Sequence, residues 1–380
     1  MAQRKLRMGM IGGGPGSFIG SIHRTAARLD GEIELVCGAF SSEAGRSAQT
    51  GEELGLPKER VYASYLEMFD RESGLAENLR MDLVSIVTPN HLHFAPARLA
   101  IEQGFHLVID KPMTFDLTEA EQLRQLVAKT GRQICVTYTY TGYPMVKEAR
   151  QQVAAGNIGA VRKLFVEYPQ GWLSRRIEAE GQKQAAWRTD PKQSGAGGAI
   201  ADIGVHAFNI SEYITGLKVV SIFAQLNRVV KGRQLDDDAT VLLRFENGAT
   251  GVLIASQVAT GEENNLRIRI YGEEGALEWE QNDANSLRLK RPDHAAQIWR
   301  AGSSYLGGAA KQNSRTPAGH PEGWIEAFAN HYRNFAGYIR NGEAQIDAER
   351  DFPDVEAGYR GMLFIQRAVT SSGEGRWVDL

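Results

Sequence analysis

The spacing of apolar positions changes near residue 140. Before it, compact apolar runs at 6–11, 33–40, 83–87, 106–109 and 134–136 predict strands. Between them, 20–29, 47–54, the short 66–69 and 95–103 carry helical spacing, with Gly104 as a stop. Asp116 and Glu119 form a capping-box pattern, and Ala120, Leu123, Leu126 and Val127 follow at helical spacing. Strands alternating with helices of this length predict parallel pairing through βαβ units.

After residue 140, 146–155 predicts one helix. The runs 161–168, 219–226, 239–245, 250–256, 266–271, 277–280 and 287–289 are short and alternating, punctuated by Asn247-Gly248 and by glycines at 272 and 275. They predict antiparallel strands of one large sheet. Residues 292–321 lack a pattern and predict a long loop. Trp324, Phe328, Tyr332, Phe335 and Ile339 predict a helix that stops at Gly342, and Val355, Tyr359, Met362, Leu363 and Val369 a last one. The expected fold is α/β: a Rossmann-type dinucleotide-binding domain over 1–140, then an α+β domain over 141–380 with a large, open, mainly antiparallel sheet. The last helix is expected to pack back on the first domain. The second half has too few helices to cover both faces of its sheet, so a homodimer or homotetramer is expected.

Composition narrows the function classes. Lys plus Arg is 43 and Asp plus Glu 46, a net charge of −3, without the basic excess of a nucleic-acid binder. The two cysteines, Cys37 and Cys135, lie in apolar runs, which rules out a disulfide scaffold and argues against a cysteine zinc site. No stretch approaches the ~20 apolar residues of a membrane span, and the basic start lacks a signal-peptide core. A cytoplasmic protein with no membrane partner is expected. Glycine is abundant, 41 of 380 residues against a usual ~7%, so close backbone approaches are expected.

The glycines concentrate where chemistry is expected. Gly12, Gly14 and Gly16 stand between a predicted strand and a predicted helix, where a helix N-terminus can meet a pyrophosphate. Ser17 occupies the place of the third fingerprint glycine, and Gly20 can fill that role after a three-residue insertion. The acid that would hold the ribose of NAD is missing at the end of the second strand, where Ser41 and Ser42 stand. Arg46 is close enough to meet a 2′-phosphate, or else is a solvated helix residue. The cofactor reading is therefore NAD, with NADP allowed. His91 and His93 form an H-x-H pair without further ligands, and no metal is expected. Asp110-Lys111-Pro112 follows a strand directly, at the carboxyl edge where ligands collect. In GAGGAIADIGVH, Asp202 and His206 are four apart and share a helix face. A carboxylate beside an imidazole suits proton transfer, or else braces a helix.

The glycine loop, TPNHLH, DKP and GGAIADIGVH occur in an order and at separations that resemble the glucose–fructose oxidoreductase / inositol dehydrogenase / rhizopine-catabolism (Gfo/Idh/MocA) family over nearly the whole chain. The resemblance implies that Lys111 lies near the nicotinamide and the reacting hydroxyl. It also implies that Asp202 and His206 serve catalysis, with His206 as general base. Thr88, Asn90 and His93 then flank the cofactor with Asp110, Trp187-Arg188 reaches it, and Tyr140 and Trp172 lie on the substrate side. Asp110 replaces the family's usual glutamate. Thr139-Tyr140-Thr141 stands where many members carry N-x-R, and the loop insertion at 15–19 alters the phosphate turn. The implied function is hydride transfer between NAD(P) and a secondary alcohol of a carbohydrate or cyclitol. The alternatives are an NAD-dependent oxidoreductive glycosidase and a non-enzymatic nucleotide-sensing module.

Overall fold

The computed structural model describes residues 4–341 and 350–380. The expected helix stop at Gly342 lies outside them. The chain forms two compact units. One comprises the residues up to Tyr138 together with Phe328–Tyr359, the other Thr139–Ala327 together with Arg360–Leu380. A single division at residue 140 does not describe this, because the chain rejoins the first unit late.

The first unit is built on β1 (Leu6–Gly12), β2 (Ile33–Ala39), β3 (Leu83–Val87), β4 (His106–Ile109) and β5 (Ile134–Val136). All pair in parallel, in the order β2-β1-β3-β4-β5. Every residue of β3 and six of the seven in β1 are buried, as in a sheet covered on both faces. An isolated parallel bridge joins Gly38 to Val61 outside β2. Counting that bridge as a residual strand restores the Rossmann order, with its switch point between β1 and β3. Cys37 and Cys135 are buried and free, on β2 and β5. Residues 328–341 and 350–359 pack onto this sheet. Pro353 O accepts from Val136 N at 2.8 Å, and His331 Nε2 lies 2.9 Å from Tyr138 O.

The second unit carries β6 (Val161–Pro169), β7 (Val219–Asn227), β8 (Asp238–Phe245), β9 (Thr250–Ser256), β10 (Arg267–Gly272), β11 (Ala276–Glu280), β12 (Ser286–Lys290), β13 (Gln297–Arg300) and β14 (Val378–Asp379). They form one sheet in the order β13-β12-β11-β10-β6-β9-β8-β7-β14. The sheet is mainly antiparallel, with β6 and β9 pairing in parallel inside it. One expectation needs correction: the predicted loop 292–321 holds β13 and a short helix, Gly308–Gln312. β13 left no trace in the pattern because its edge position exposes both faces. The helices Pro144–Ala154 and Val205–Thr215 pack together and against one face of the sheet.

Candidate functional site

In the first unit, the loops after β1, β2, β3 and β4 gather the residues expected around a dinucleotide. Gly12, Gly13 and Gly16 have φ of +83°, +77° and +80°. A Cβ on Gly14 would lie 2.7 Å from Phe40 O, and one on Gly20 would lie 2.4 Å from Gly13 Cα. The loop therefore folds flat onto the start of the helix Phe18–Leu29, and Gly20 permits that contact. Ser17, in the place of the third fingerprint glycine, is the N-cap and accepts from Gly20 N at 3.3 Å. A cradle that side chains would fill, opening on a helix N-terminus, fits a pyrophosphate. At the ribose end, Ser41 Oγ accepts from Glu43 N at 3.2 Å. Arg46 is exposed and lies 3.4 Å from both Glu43 Oε1 and Pro15 O. It thus ties the inserted loop to the end of β2, and Glu43 supplies an acid that the spacing argument did not weigh.

After β3, the H-x-H pair splits. His91 is exposed. His93 is fully buried, with Nδ1 3.0 Å from Pro112 O and Nε2 2.8 Å from Thr88 O. Burial lowers its pKa, and the surrounding carbonyls and Asp110 oppose that. His93 thereby braces the Thr88 loop against the turn at Lys111-Pro112. Thr88 Oγ1 donates to Leu92 O at 3.3 Å, and Asn90 is buried within the same loop. Asp110 Oδ1 accepts from Lys111 N at 3.0 Å and from Thr137 Oγ1 at 2.8 Å. That pins the carboxylate at the carboxyl edge of β4, with Lys111 half-buried beside it. Among the described residues no cluster of three or more His, Cys, Asp or Glu could hold a metal.

In the second unit, Asp202 does not sit on a regular α-helix. Ile200–Gly204 is a π-helical turn, and the α-helix Val205–Thr215 follows it with His206 in its first turn. Such turns concentrate at functional sites. The buried carboxylate of Asp236 fixes the start of this segment. Its Oδ1 accepts from Gly198 N at 2.7 Å and its Oδ2 from Ile200 N at 2.8 Å. Burial pushes Asp236 up to about 6, against those two bonds. A Cβ on Gly198 would meet Asp236 O at 1.9 Å, so only glycine allows the approach.

A polar cluster surrounds this segment. Gln257 Nε2 donates to Asp202 Oδ2 at 2.8 Å, and Arg188 Nε lies 3.4 Å from the same oxygen. The Arg188 guanidinium stacks 4.2 Å from the Trp187 ring and lies 6.0 Å from Trp172. Gln170 Oε1 accepts from Trp172 Nε1 at 3.0 Å and from Gln257 Nε2 at 3.4 Å, and its amide donates to Asn264. Tyr140 is buried. Its hydroxyl bonds that of Tyr168, and its ring meets the His206 ring edge-on at 5.0 Å. Burial pushes Tyr140 up to about 12 and also raises Tyr168 well above its ordinary value, so both stay protonated. Tyr140 is thus a wall for the His206 imidazole. The half-buried Gln170, Trp172 and Asn264 are the polar groups nearer solvent.

Gln170, Gln257, Tyr168, Asn264 and Asp236 escaped the sequence reading. Gln170 and Gln257 meet because β6 and β9 run parallel, with Pro169 opposite Ser256. The residues that follow each strand therefore emerge side by side. Gln170 N donates to Ser256 O at 2.7 Å, and Leu173 N to Gln257 O at 3.1 Å. No local motif encodes a pairing across 87 residues of chain.

Comparison with known proteins bears on the family and the fold. Residues 6–138 match the family model described as the oxidoreductase family with an NAD-binding Rossmann fold, and residues 146–278 match the GFO/IDH/MocA C-terminal domain. The structure is similar to that of an inositol dehydrogenase homolog from Azotobacter vinelandii complexed with NAD+, at 35% identity and a TM-score of 0.94, covering 99% of this chain and 98% of that one. A complex of that homolog with NADH and myo-inositol superposes with a TM-score of 0.91 at 34% identity, with the same coverage. An uncharacterized oxidoreductase of Bacillus subtilis (strain 168), YfiI, is 33% identical over 99% of this chain and 97% of its own. A levoglucosan dehydrogenase of Pseudarthrobacter phenanthrenivorans is 25% identical over 99% and 98%.

Proposed function

The chain belongs to the Gfo/Idh/MocA oxidoreductase family, and from that premise we propose that it oxidises a secondary alcohol of a neutral sugar, glycoside or cyclitol with NAD as hydride acceptor. The observation that carries this reading is the Asp202 carboxylate, held by two donors one helical turn from a buried histidine that is walled by tyrosines. The names of the relatives support the substrate class, because inositol and levoglucosan are both polyhydroxylated rings. Gln170, Trp172 and Asn264 offer amides and an indole, groups suited to neutral hydroxyls.

Bound NAD supplies the acceptor for the hydride at nicotinamide C4. The glycine cradle binds the pyrophosphate, and His93 holds the Thr88 loop and the Lys111 turn in fixed relation. His206 takes the proton of the substrate hydroxyl. Lys111 stabilises the developing alkoxide with its charge. Asp202 orients the hydroxyl or the imidazole. Arg46, beside the end of β2, offers a cation for a 2′-phosphate, so NADP is the secondary cofactor.

A panel of inositols, sugars and aryl glycosides, read by NADH absorbance and by aglycone release, tests the reading. Absorbance change with a polyol is the expected result. Aglycone released without net NADH would instead mark an oxidoreductive glycosidase. His206→Ala should cut kcat about 10²–10⁴-fold and leave NADH affinity within a few-fold. Near-normal kcat in that variant would remove His206 from the reaction and make Lys111 the candidate base.

A further inference from the structure

Asp202 does not act alone. We infer that Gln257 is its positioning residue, the last link of a side-chain chain from Trp172 through Gln170 to the carboxylate. This rests on the dehydrogenase reading and deepens it. Gln257 is 2% exposed, so its amide is fixed by what surrounds it. Its backbone is fixed as well: Gln257 N donates to Asp237 O at 2.9 Å, and Gln257 O accepts from Leu173 N at 3.1 Å. Its Nε2 carries both hydrogens, one for Asp202 Oδ2 at 2.8 Å and one for Gln170 Oε1 at 3.4 Å. Trp172 donates to the same Gln170 oxygen, which settles which end of the Gln170 amide faces Gln257. The orientation of both amides is therefore forced, and Gln257 can present only a donor to Asp202.

The consequence is chemical. Two donors, Arg188 and Gln257, converge on one oxygen of Asp202. They select one rotamer of the carboxylate and favour its ionised form. Charged and titratable groups near this region include His206 on the following helix, Tyr140 and Tyr168 on the neighbouring segments, and Asp236 at the start of the turn. None of these can replace the Gln257 amide. Tyr140 and Tyr168 bond each other's hydroxyls and the Asn264 side chain, and Asp236 is an acceptor already bonded to Gly198 and Ile200.

The test is a pair of variants with a readout that mere packing would not move. Gln257→Leu keeps volume and removes the donor. Gln257→Glu keeps shape but sets a second carboxylate against Asp202 Oδ2, where two like charges cannot both ionise readily. We expect Gln257→Leu to lower kcat at least tenfold with KM changed less than threefold. We expect Gln257→Glu to add a new limb to the pH–kcat profile in the acid range, recovering activity as the shared proton is taken up. That limb should vanish in the double variant Gln257→Glu/Asp202→Asn. In parallel, ¹³C NMR of Asp-labelled protein, with Asp202→Asn identifying the resonance, should show the Asp202 carboxyl titrating at higher pH in Gln257→Leu than in wild type. Unchanged kcat, an unaltered pH profile or an unmoved resonance would each overturn the assignment. If the wild type oxidises no polyol, the dehydrogenase reading fails, while the NMR titration still decides the Gln257–Asp202 link.

Discussion

Histidine protonation at single residues sets a pH limit on the first unit. His23 is buried against Tyr332 and Ser85, with Nδ1 2.6 and 3.1 Å from their hydroxyls, and burial pushes its pKa down to about 4. His106 is also pushed down to about 4, first by burial and then by Arg132. Its Nδ1 accepts from Gln133 N at 3.2 Å, a bond that protonation would destroy. An unfolded histidine takes up its proton near ~6.5. Between that value and the native one, the unfolded chain binds more protons than the folded one. The stability from each site is therefore complete above about pH 6.5 and is lost as pH falls towards 4. Asp236 works in the opposite sense, because its raised pKa makes the folded state the better proton binder between its ordinary value and about 6. A variant difference cancels that contribution. We expect wild type to lose about 2 kcal/mol more than His106→Gln between pH 7.5 and pH 5, by urea denaturation followed at both values. Equal losses in the two proteins would show that His106 is not held neutral.

At the scale of elements, the approach of a helix to a loop decides cofactor binding. Gly20 lies against Gly13 with no room for a Cβ, so the helix Phe18–Leu29 can present its N-terminus only while position 20 is glycine. We expect Gly20→Val to weaken NADH binding at least tenfold in a fluorescence titration. As a control, Gly337→Ala changes a helical glycine with nothing within 4 Å and should raise stability by about 0.5–1 kcal/mol without altering NADH affinity. Equal affinities in the two variants would show that the loop adjusts without its glycine. The same distinction explains what could be read from the chain alone. The glycine loop, the Lys111 turn and the Asp202/His206 pair are local patterns, and so are the five parallel strands between their helices. The π-helical turn was hidden because an α-helix and a π-turn share the i, i+4 spacing to first order. The Asp236–Asp238 run looks like a solvated charge cluster, yet Asp236 caps the turn and Asp237 bonds Val229 N, Val230 N and Arg233. Those roles come from tertiary partners that spacing does not specify. Tyr140 stood in the right segment, but only packing against Tyr168 and His206 shows that its hydroxyl faces inward.

At the scale of the whole molecule, the exposed Leu242 and Ile254 on one face of the nine-stranded sheet motivate the expectation that a second copy of the chain covers it. The register sets Phe223, Leu242, Val252 and Phe165 in one row across β7, β8, β9 and β6, and Arg269 of β10 continues it. Leu242 is 41% exposed and Ile254, two residues on from Val252, is 37%. The next row sets Thr240, Ile254, Glu167 and Arg267 side by side. An apolar band bordered by both charge signs suits a two-fold contact, in which Glu167 of one copy meets the arginines of another. Burying such a band should favour association strongly, at about 25 cal/mol for each Å² of apolar surface removed from water. We expect light scattering to give a mass of two chains or a multiple of two at micromolar concentration. The double variant Leu242→Lys/Ile254→Lys should shift it to one chain without altering NADH affinity, since both residues face away from the helices that pack on this sheet. A wild type that stays monomeric up to high micromolar concentration would refute the assignment. A double variant that remains dimeric would show that another surface joins the copies.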